Sequence, residues 1–263
     1  MSGIRRVRLR PAPAFMFPKD DRTSMHLRSI GFLHDTFPTR EFYPFNLRVF
    51  QETDTIGFAT PVTFFTGENG SGKSTLLRAI AHGCGIHIWE EHEGPCDLHN
   101  PYEGQLDRSL RFDCGPGKVT GSFFAAEIFR HFAEALDQWG RADPGCLSYF
   151  GDRSLVTRSH GQSHMAFFEN RFMRDGLYLL DEPENALSPR RQLELLRLIR
   201  GYTGKGGVQF IIATHSPILL AYPGAEIWSF DTAPIVRIGY EDTEYYRVYR
   251  DFLLDREKYL AGL

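Results

Sequence analysis

TGENGSGKST, residues 66–75, decides the fold. It fits G-x-x-x-x-G-K-[ST], with Gly67 and Gly72 as the glycines, then Lys73 and Ser74. Before it runs Pro61-Val-Thr-Phe-Phe-Thr66, β-branched and aromatic and bounded by Pro and Gly, which predicts a strand. After it, Leu76, Leu77, Ile80 and Ala81 fall on one helical face. Strand, glycine loop and helix is the context in which this motif cradles phosphate. Glycine tolerates backbone angles that other residues resist, so the N–H groups from Gly67 through Glu68, Asn69, Gly70, Ser71 and Gly72 can converge on an anion. The helix N-terminus behind Lys73, Ser74 and Thr75 adds its partial positive charge. Lys73 would reach the β- and γ-phosphates, and the Ser74 hydroxyl would ligate Mg²⁺. A chance glycine-rich turn is the alternative, and the two correct flanks argue against it.

The remaining composition sets limits. Hydrophobic residues make up 42% of 263, enough for a large core and too many for a disordered chain. A net charge of −3 excludes a duplex-coating protein that is basic overall, so any nucleic-acid contact falls to a local patch such as Arg5, Arg6, Arg8 and Arg10. No run reaches the roughly 18 apolar residues that span a bilayer. The start, MSGIRRVRLRPAPAF, has basic residues without an apolar block behind them, so no secretory signal is expected. Cys84, Cys96, Cys114 and Cys146 are then expected as reduced thiols in a cytoplasm.

A phosphate loop needs an acid for the metal and a group to position water. DGLYLLDEPENALSPRRQ, residues 175–192, supplies both. Leu177-Tyr-Leu-Leu180 is the continuous apolar run of a strand buried on both faces. It delivers Asp181 and Glu182 to the strand's C-terminal end, where ligands sit in open α/β sheets. There Asp181 would hold Mg²⁺ through water, and Glu182 would polarise the attacking water. Ser188 and Pro189 then start a helix, as N-cap and first helical residue. A third strand, Val208–Ala213, ends in Thr214-His215-Ser216-Pro217. That places His215 beside the acids as a contact to the γ-phosphate or the catalytic water.

RSHGQSHMAFFENRF, residues 158–172, has capping and helix-breaking types followed by Met165, Ala166, Phe168 and Phe172 at helical spacing. In order, these elements resemble the ATP-binding-cassette class of P-loop ATPases over about residues 60–220. The resemblance implies that Ser159, Gly161 and Gln162 match the signature S-x-G-[GEQ], whose helix caps the γ-phosphate of nucleotide held by the other subunit of a dimer. His160 and Arg158 depart from the usual residues there. DEPENALSP and ATHSP resemble the RecF, SMC and OLD branch of the class more than transporter cassettes.

The resemblance implies an α/β P-loop NTPase fold, with a RecA-like core sheet, an N-terminal antiparallel β portion and a small helical lobe. Residues 1–85 and 175–263 would form the nucleotide-binding lobe and residues 86–174 the helical, signature-bearing lobe of one domain. ATP and Mg²⁺ are the implied cofactors. A head-to-head homodimer is the implied assembly, hydrolysing ATP with Glu182, His215 and Lys73, while Asn185–Ser188 link the two sites. DNA or a partner effector protein is the expected further partner, and a transporter subunit the less favoured one.

Several segments stay open. Phe123–Trp139 has an amphipathic helical pattern. Glu127 and Gln105 are weak candidates for the Gln that the class places near the start of its lobe. Tyr43 and Phe45 stand where an adenine-stacking aromatic could, or pack an N-terminal sheet. His82, Cys84, His87, His92, Cys96 and His99 could bind zinc, with a solvated loop as the default. The Tyr-rich segment from Tyr240 predicts two helices with Thr243 as an N-cap, docked on the core or on a partner.

Overall fold

The computed structural model describes residues 25–89, 100–142, 160–172 and 174–261. From the N-terminus come β1 (Leu27–Phe32), α1 (Arg48–Glu52), β2 (Thr55–Gly57), β3 (Val62–Thr66) and α2 (Lys73–Gly83). Next are β4 (Leu110–Cys114), β5 (Gly121–Ala125), α3 (Phe129–Ala142), α4 (His160–Arg171) and β6 (Gly176–Asp181). The chain continues through α5 (Pro189–Thr203), β7 (Val208–Ala213), α6 (Pro217–Leu220), β8 (Glu226–Ser229) and β9 (Val236–Ile238). It closes with α7 (Glu244–Leu254) and α8 (Arg256–Leu260).

β3, β6 and β7 are buried at every position, as their continuous apolar runs predict for strands covered on both faces. They lie in a six-stranded sheet ordered β5–β6–β7–β3–β8–β9, parallel except for β9. Alternate residues feed two cores. Phe65, Leu177, Leu179 and Ile211 join α2 and the smaller sheet on one side. Phe64, Tyr178, Leu180, Phe210 and Ile212 face α3, α4 and α5 on the other. The period-2 alternation of strand side chains builds both layers from one set of residues.

The smaller sheet is antiparallel, ordered β2–β1–β4. Gln209, the second residue of β7, ties the two sheets together. Its amide accepts the Leu27 N–H at 2.9 Å and donates to the Leu27 carbonyl at 2.8 Å. A buried amide satisfied on both sides is a specific tether rather than a burial cost.

The α/β fold with an N-terminal antiparallel portion agrees with expectation, and two boundaries differ. Phe123–Ala125 belong to strand β5, in register with Leu179, Leu180 and Asp181 of β6, so the amphipathic helix begins only at Phe129. Short apolar runs carry no period that separates a buried strand from a helix. β4 and β5 both come from the span 86–174, so that span contributes strands to both sheets as well as the helices α3 and α4. Helix α3 places Phe129, Phe132, Ala133 and Leu136 in the core, the i, i+3, i+4, i+7 stripe of a helix lying on a sheet.

Candidate functional site

The loop between β3 and α2 carries three glycines at positive φ: Gly67 at 143°, Gly70 at 77° and Gly72 at 102°. At Gly72 a side chain would also meet Phe50, 2.8 Å from a built Cβ, so only glycine passes there. Helix α2 begins immediately after it with no side-chain cap, leaving its first-turn amides available to an anion. Lys73 is buried, and its Nζ donates to the carbonyls of Gly67 at 2.6 Å and Glu68 at 2.8 Å. Burial lowers its pKa, while the carboxylates of Glu182, Asp181 and Asp231 hold it up. Asp231 closes the loop from behind β8. One oxygen accepts the Glu68 N–H at 2.9 Å and the other accepts the Ser229 hydroxyl at 3.0 Å.

The Ser74 hydroxyl donates to Asp181 Oδ1 at 2.9 Å, joining the end of the glycine loop to the end of β6. Asp181 is buried, and desolvation raises its pKa from 3.8 to about 6, against the opposing pulls of the Ser74 hydrogen bond and Arg78. A buried carboxylate and a hydroxyl offer hard oxygen donors. With phosphate oxygens they fit Mg²⁺, which takes one or two carboxylate contacts and keeps waters.

Glu182 follows at φ 46°, the only described non-glycine residue with positive φ. This left-handed conformation is sparsely populated for a residue with a side chain. It turns the chain out of β6 into a single helical turn, Pro183–Ala186. The Glu182 carboxylate accepts from Asn185 Nδ2 at 2.6 Å and lies 3.3 Å from His215 Nε2. That second contact is a close approach without a hydrogen bond, since Nε2 has no hydrogen-bond partner. Glu184 turns inward instead. Its Oε1 accepts from Thr214 Oγ1 at 2.7 Å and from the His215 backbone N–H at 2.6 Å, and burial raises its pKa. The strand end bearing His215 is thus locked to the turn bearing Glu182. Burial and the nearby Lys73 lower the His215 pKa, so the ring is neutral at neutral pH.

His215 Nδ1 is hydrogen-bonded to the hydroxyl of Tyr245 on α7, which also stands 3.3 Å from the Gly67 carbonyl. The C-terminal segment therefore docks on the core at the site itself, with Thr243 capping α7 as expected by accepting the Tyr246 N–H at 3.3 Å. Asp231 and Tyr245 escaped sequence reasoning because neither belongs to a spacing pattern. Their link to the loop exists only through the fold.

Of the adenine-stacking candidates, Phe45 is fully buried and belongs to the core. Tyr43 is exposed, and its hydroxyl is hydrogen-bonded to Thr75 at the start of α2. Glu127 is exposed two residues beyond Ala125, which is in register with Asp181. Gln105, in the loop before β4, donates its side-chain amide to the Pro101 carbonyl.

Ser159 lies outside the described residues, as do Arg5, Arg6, Arg8, Arg10, His92, Cys96, His99 and Cys146. Gly161 and Gln162 are described: α4 starts at His160, so both lie within its first turn. A Cβ on Gly161 would stand 2.9 Å from the Ala186 carbonyl. Glycine is therefore required there for close packing inside this chain, against the turn that follows Glu182. Among the described residues no group of three or more His, Cys, Asp or Glu is placed to hold a metal ion. Cys84, from the candidate zinc segment, is a buried free thiol, and burial first and then the neighbouring Cys114 push it up to about 12.

A glycine-rich phosphate loop, a metal-type Ser–Asp pair, a strand-end Glu and a neighbouring strand-end His on one parallel sheet define a P-loop nucleotide-binding protein of the ATP-binding-cassette type. Family comparison agrees. Residues 157–221 match the model described as "AAA domain, putative AbiEii toxin, Type IV TA system", and residues 45–86 match a second, described as "AAA domain". The hemin import ATP-binding protein of Bordetella pertussis is 30% identical over 173 residues, which is 57% of this chain and 64% of that one. The chain thus spans just under two thirds of that relative. The thiamine import ATP-binding protein of Cereibacter sphaeroides is 30% identical over 168 residues, 57% of this chain and 69% of that one. A solved ATP-binding cassette of an ABC transporter, in its ADP conformation, superposes with a TM-score of 0.50 at 18% identity. The superposition covers 86% of this chain and 98% of that one, and shows the fold. The chain belongs to the ATP-binding-cassette family of P-loop ATPases. No helix among the described residues is long and apolar enough to cross a membrane.

Proposed function

We propose that the chain binds Mg-ATP and hydrolyses it as an ATP-dependent head-to-head homodimer. The observation that carries this is the placement of Glu182. Its carboxylate projects from the end of β6 beside the Ser74–Asp181 pair, held by Asn185 at 2.6 Å and facing His215 at 3.3 Å. A carboxylate so fixed can orient a water and accept its proton, the role a hydrolytic P-loop site requires. Lys73 and the loop amides supply positive charge to the phosphates, and Nε2–H of His215 is a donor within reach of the same region. Bound at Ser74 and Asp181, Mg²⁺ would neutralise charge on the phosphates.

The dimer is inferred from the class. Gly161 and Gln162, on the first turn of α4, would face nucleotide on the other subunit together with Ser159. The test is Glu182→Gln, which keeps size and hydrogen bonding but removes the base. With Mg-ATP, size-exclusion chromatography with light scattering should show a stable dimer, and hydrolysis should fall at least about a hundredfold. Turnover at the parental rate would refute the assignment of Glu182.

DNA maintenance or phage defence, in a cytoplasm, is the favoured setting. Support comes from the DEPE and THSP forms, which Glu184 joins into one hydrogen-bonded unit, and from the toxin–antitoxin description of the model matching residues 157–221. A second setting, the ATPase subunit of an importer, is favoured by the relatives' names. Pull-down with tagged Glu182→Gln in Mg-ATP, with and without nuclease, separates them. DNA lost on nuclease treatment supports the first, and a retained membrane protein supports the second. A retained soluble protein would make the chain a nucleotide-switched regulatory subunit.

A further inference from the structure

We propose that Tyr245, on the first turn of α7, is a positioning residue that fixes the tautomer and orientation of the His215 imidazole. The inference rests on the reading of this site as an ATPase centre, and it adds a residue from outside both matched spans, 45–86 and 157–221.

The two ring nitrogens of His215 face different partners. Nδ1 is in hydrogen-bond contact with the Tyr245 hydroxyl, and Nε2 stands 3.3 Å from Glu182 Oε1. A carboxylate has only lone pairs to offer, whereas a phenol can donate. The arrangement without repulsion puts the proton of the neutral ring on Nε2 and leaves the Nδ1 lone pair to accept from Tyr245. The phenol's single proton has one competing acceptor, the Gly67 carbonyl at 3.3 Å, which is the longer contact. Burial first, and then the surrounding carboxylates, push the phenol up to about 12, so Tyr245 keeps the proton it donates.

Orientation is set as well as protonation. The rings of Tyr245 and His215 meet edge-to-face, with centroids 5.1 Å apart and planes at 76°. Tyr245 is itself held by its place in the helix. Thr243 is buried, caps the first turn through the Tyr246 N–H and donates to the Tyr240 carbonyl at 2.7 Å. The hydroxyl thus arrives from a fixed helix start. It puts Nε2–H, the ring's one donor, on the edge that stands 3.3 Å from the Glu182 carboxylate without being bonded to it. A second-partner bond that selects a His tautomer is a general device for orienting an imidazole.

Tyr245→Phe in the full chain tests this, because it deletes the hydroxyl and keeps the ring contact. Tyr249→Phe, exposed on the same helix, is the control. In ¹⁵N-histidine-labelled protein, with His215 assigned through His215→Asn, the parent should show the Nε2–H tautomer. Tyr245→Phe should shift His215 toward Nδ1–H or a mixture. In steady-state ATP hydrolysis, kcat should fall about tenfold while KM stays within about twofold. An unchanged His215 tautomer in Tyr245→Phe overturns the proposal whatever the rate, and so does an altered tautomer with unchanged kcat. A parent with no ATPase activity would overturn the hydrolysis reading instead, and the tautomer shift alone would then decide whether Tyr245 sets the ring.

Discussion

The buried carboxylate of Glu184 accepts the backbone N–H of His215 at 2.6 Å, and with the same oxygen it accepts the Thr214 hydroxyl at 2.7 Å. One side chain thereby fixes the relative position of two strand ends, that of β6 through its own turn and that of β7 through His215. Replacement by Ala leaves two buried donors unpaired, at about 1–3 kcal/mol for such a loss. Glu184→Ala should lower the melting temperature by several degrees and slow ATP hydrolysis more than it weakens ATP binding. Glu184→Gln keeps an acceptor and should recover most of the stability. Equal melting of the Ala variant and the parent would show that the strand ends are fixed by other means.

Asp181 leads to a trade between stability and activity. Its folded pKa of about 6 lies above the ordinary 3.8, so the folded protein takes up a proton that the unfolded chain does not. The stability from this group is greatest below about pH 4 and is lost as the pH rises through about 6. At neutral pH the ionised form costs on the order of 1–3 kcal/mol. Asp181→Asn should therefore melt higher than the parent at pH 7.5 without ligand, while losing Mg²⁺-dependent ATP binding. In the parent, Mg²⁺ affinity should weaken roughly tenfold per pH unit below about 6, since the metal must displace the proton. Calorimetric titrations across that range, paired with thermal melts, measure both effects.

Gly161 separates the intrachain role from the proposed trans contact. A methyl group there would press on the Ala186 carbonyl at 2.9 Å, so the turn carrying Asn185 must give way. Gly161→Ala should cost about 1–2 kcal/mol by overpacking and should loosen the Asn185 hold on Glu182. The expected result is a reduced kcat even at protein concentrations where the rate per chain no longer rises, so that every chain is dimeric. A defect that vanishes at such concentrations would assign Gly161 to the trans contact alone.

Asp231 braces the phosphate loop through Glu68 N–H at 2.9 Å and Ser229 at 3.0 Å. Asp231→Ala frees the loop backbone while leaving the charges of Lys73, Asp181 and Glu182 in place. ATP affinity should drop about three- to tenfold, the net worth of about one hydrogen bond that braces the loop. Fluorescent-nucleotide binding reads it directly, and unchanged affinity would mean that Lys73 and the glycine angles hold the loop unaided.

The glycine loop, the two strands ending at Asp181 and Ala213, the Ser188–Pro189 helix start and the Thr243 cap were all legible in the sequence, because each is a local rule. Backbone angle, side-chain period and capping act over a few residues and leave a spacing pattern. Phe123–Ala125 shows where such rules fail: a short apolar run has no period, and only the pairing of Ala125 beside Asp181 makes it a strand. Gln209 against Leu27, Asp231 behind Glu68 and Tyr245 against His215 were settled by the tertiary structure alone. Each joins residues from 30 to 182 positions apart. Contacts at that range are set by which strands lie side by side and where each helix returns to the sheet. Gln209, Asp231 and Tyr245 do not differ, read along the chain, from ordinary solvated polar or aromatic side chains.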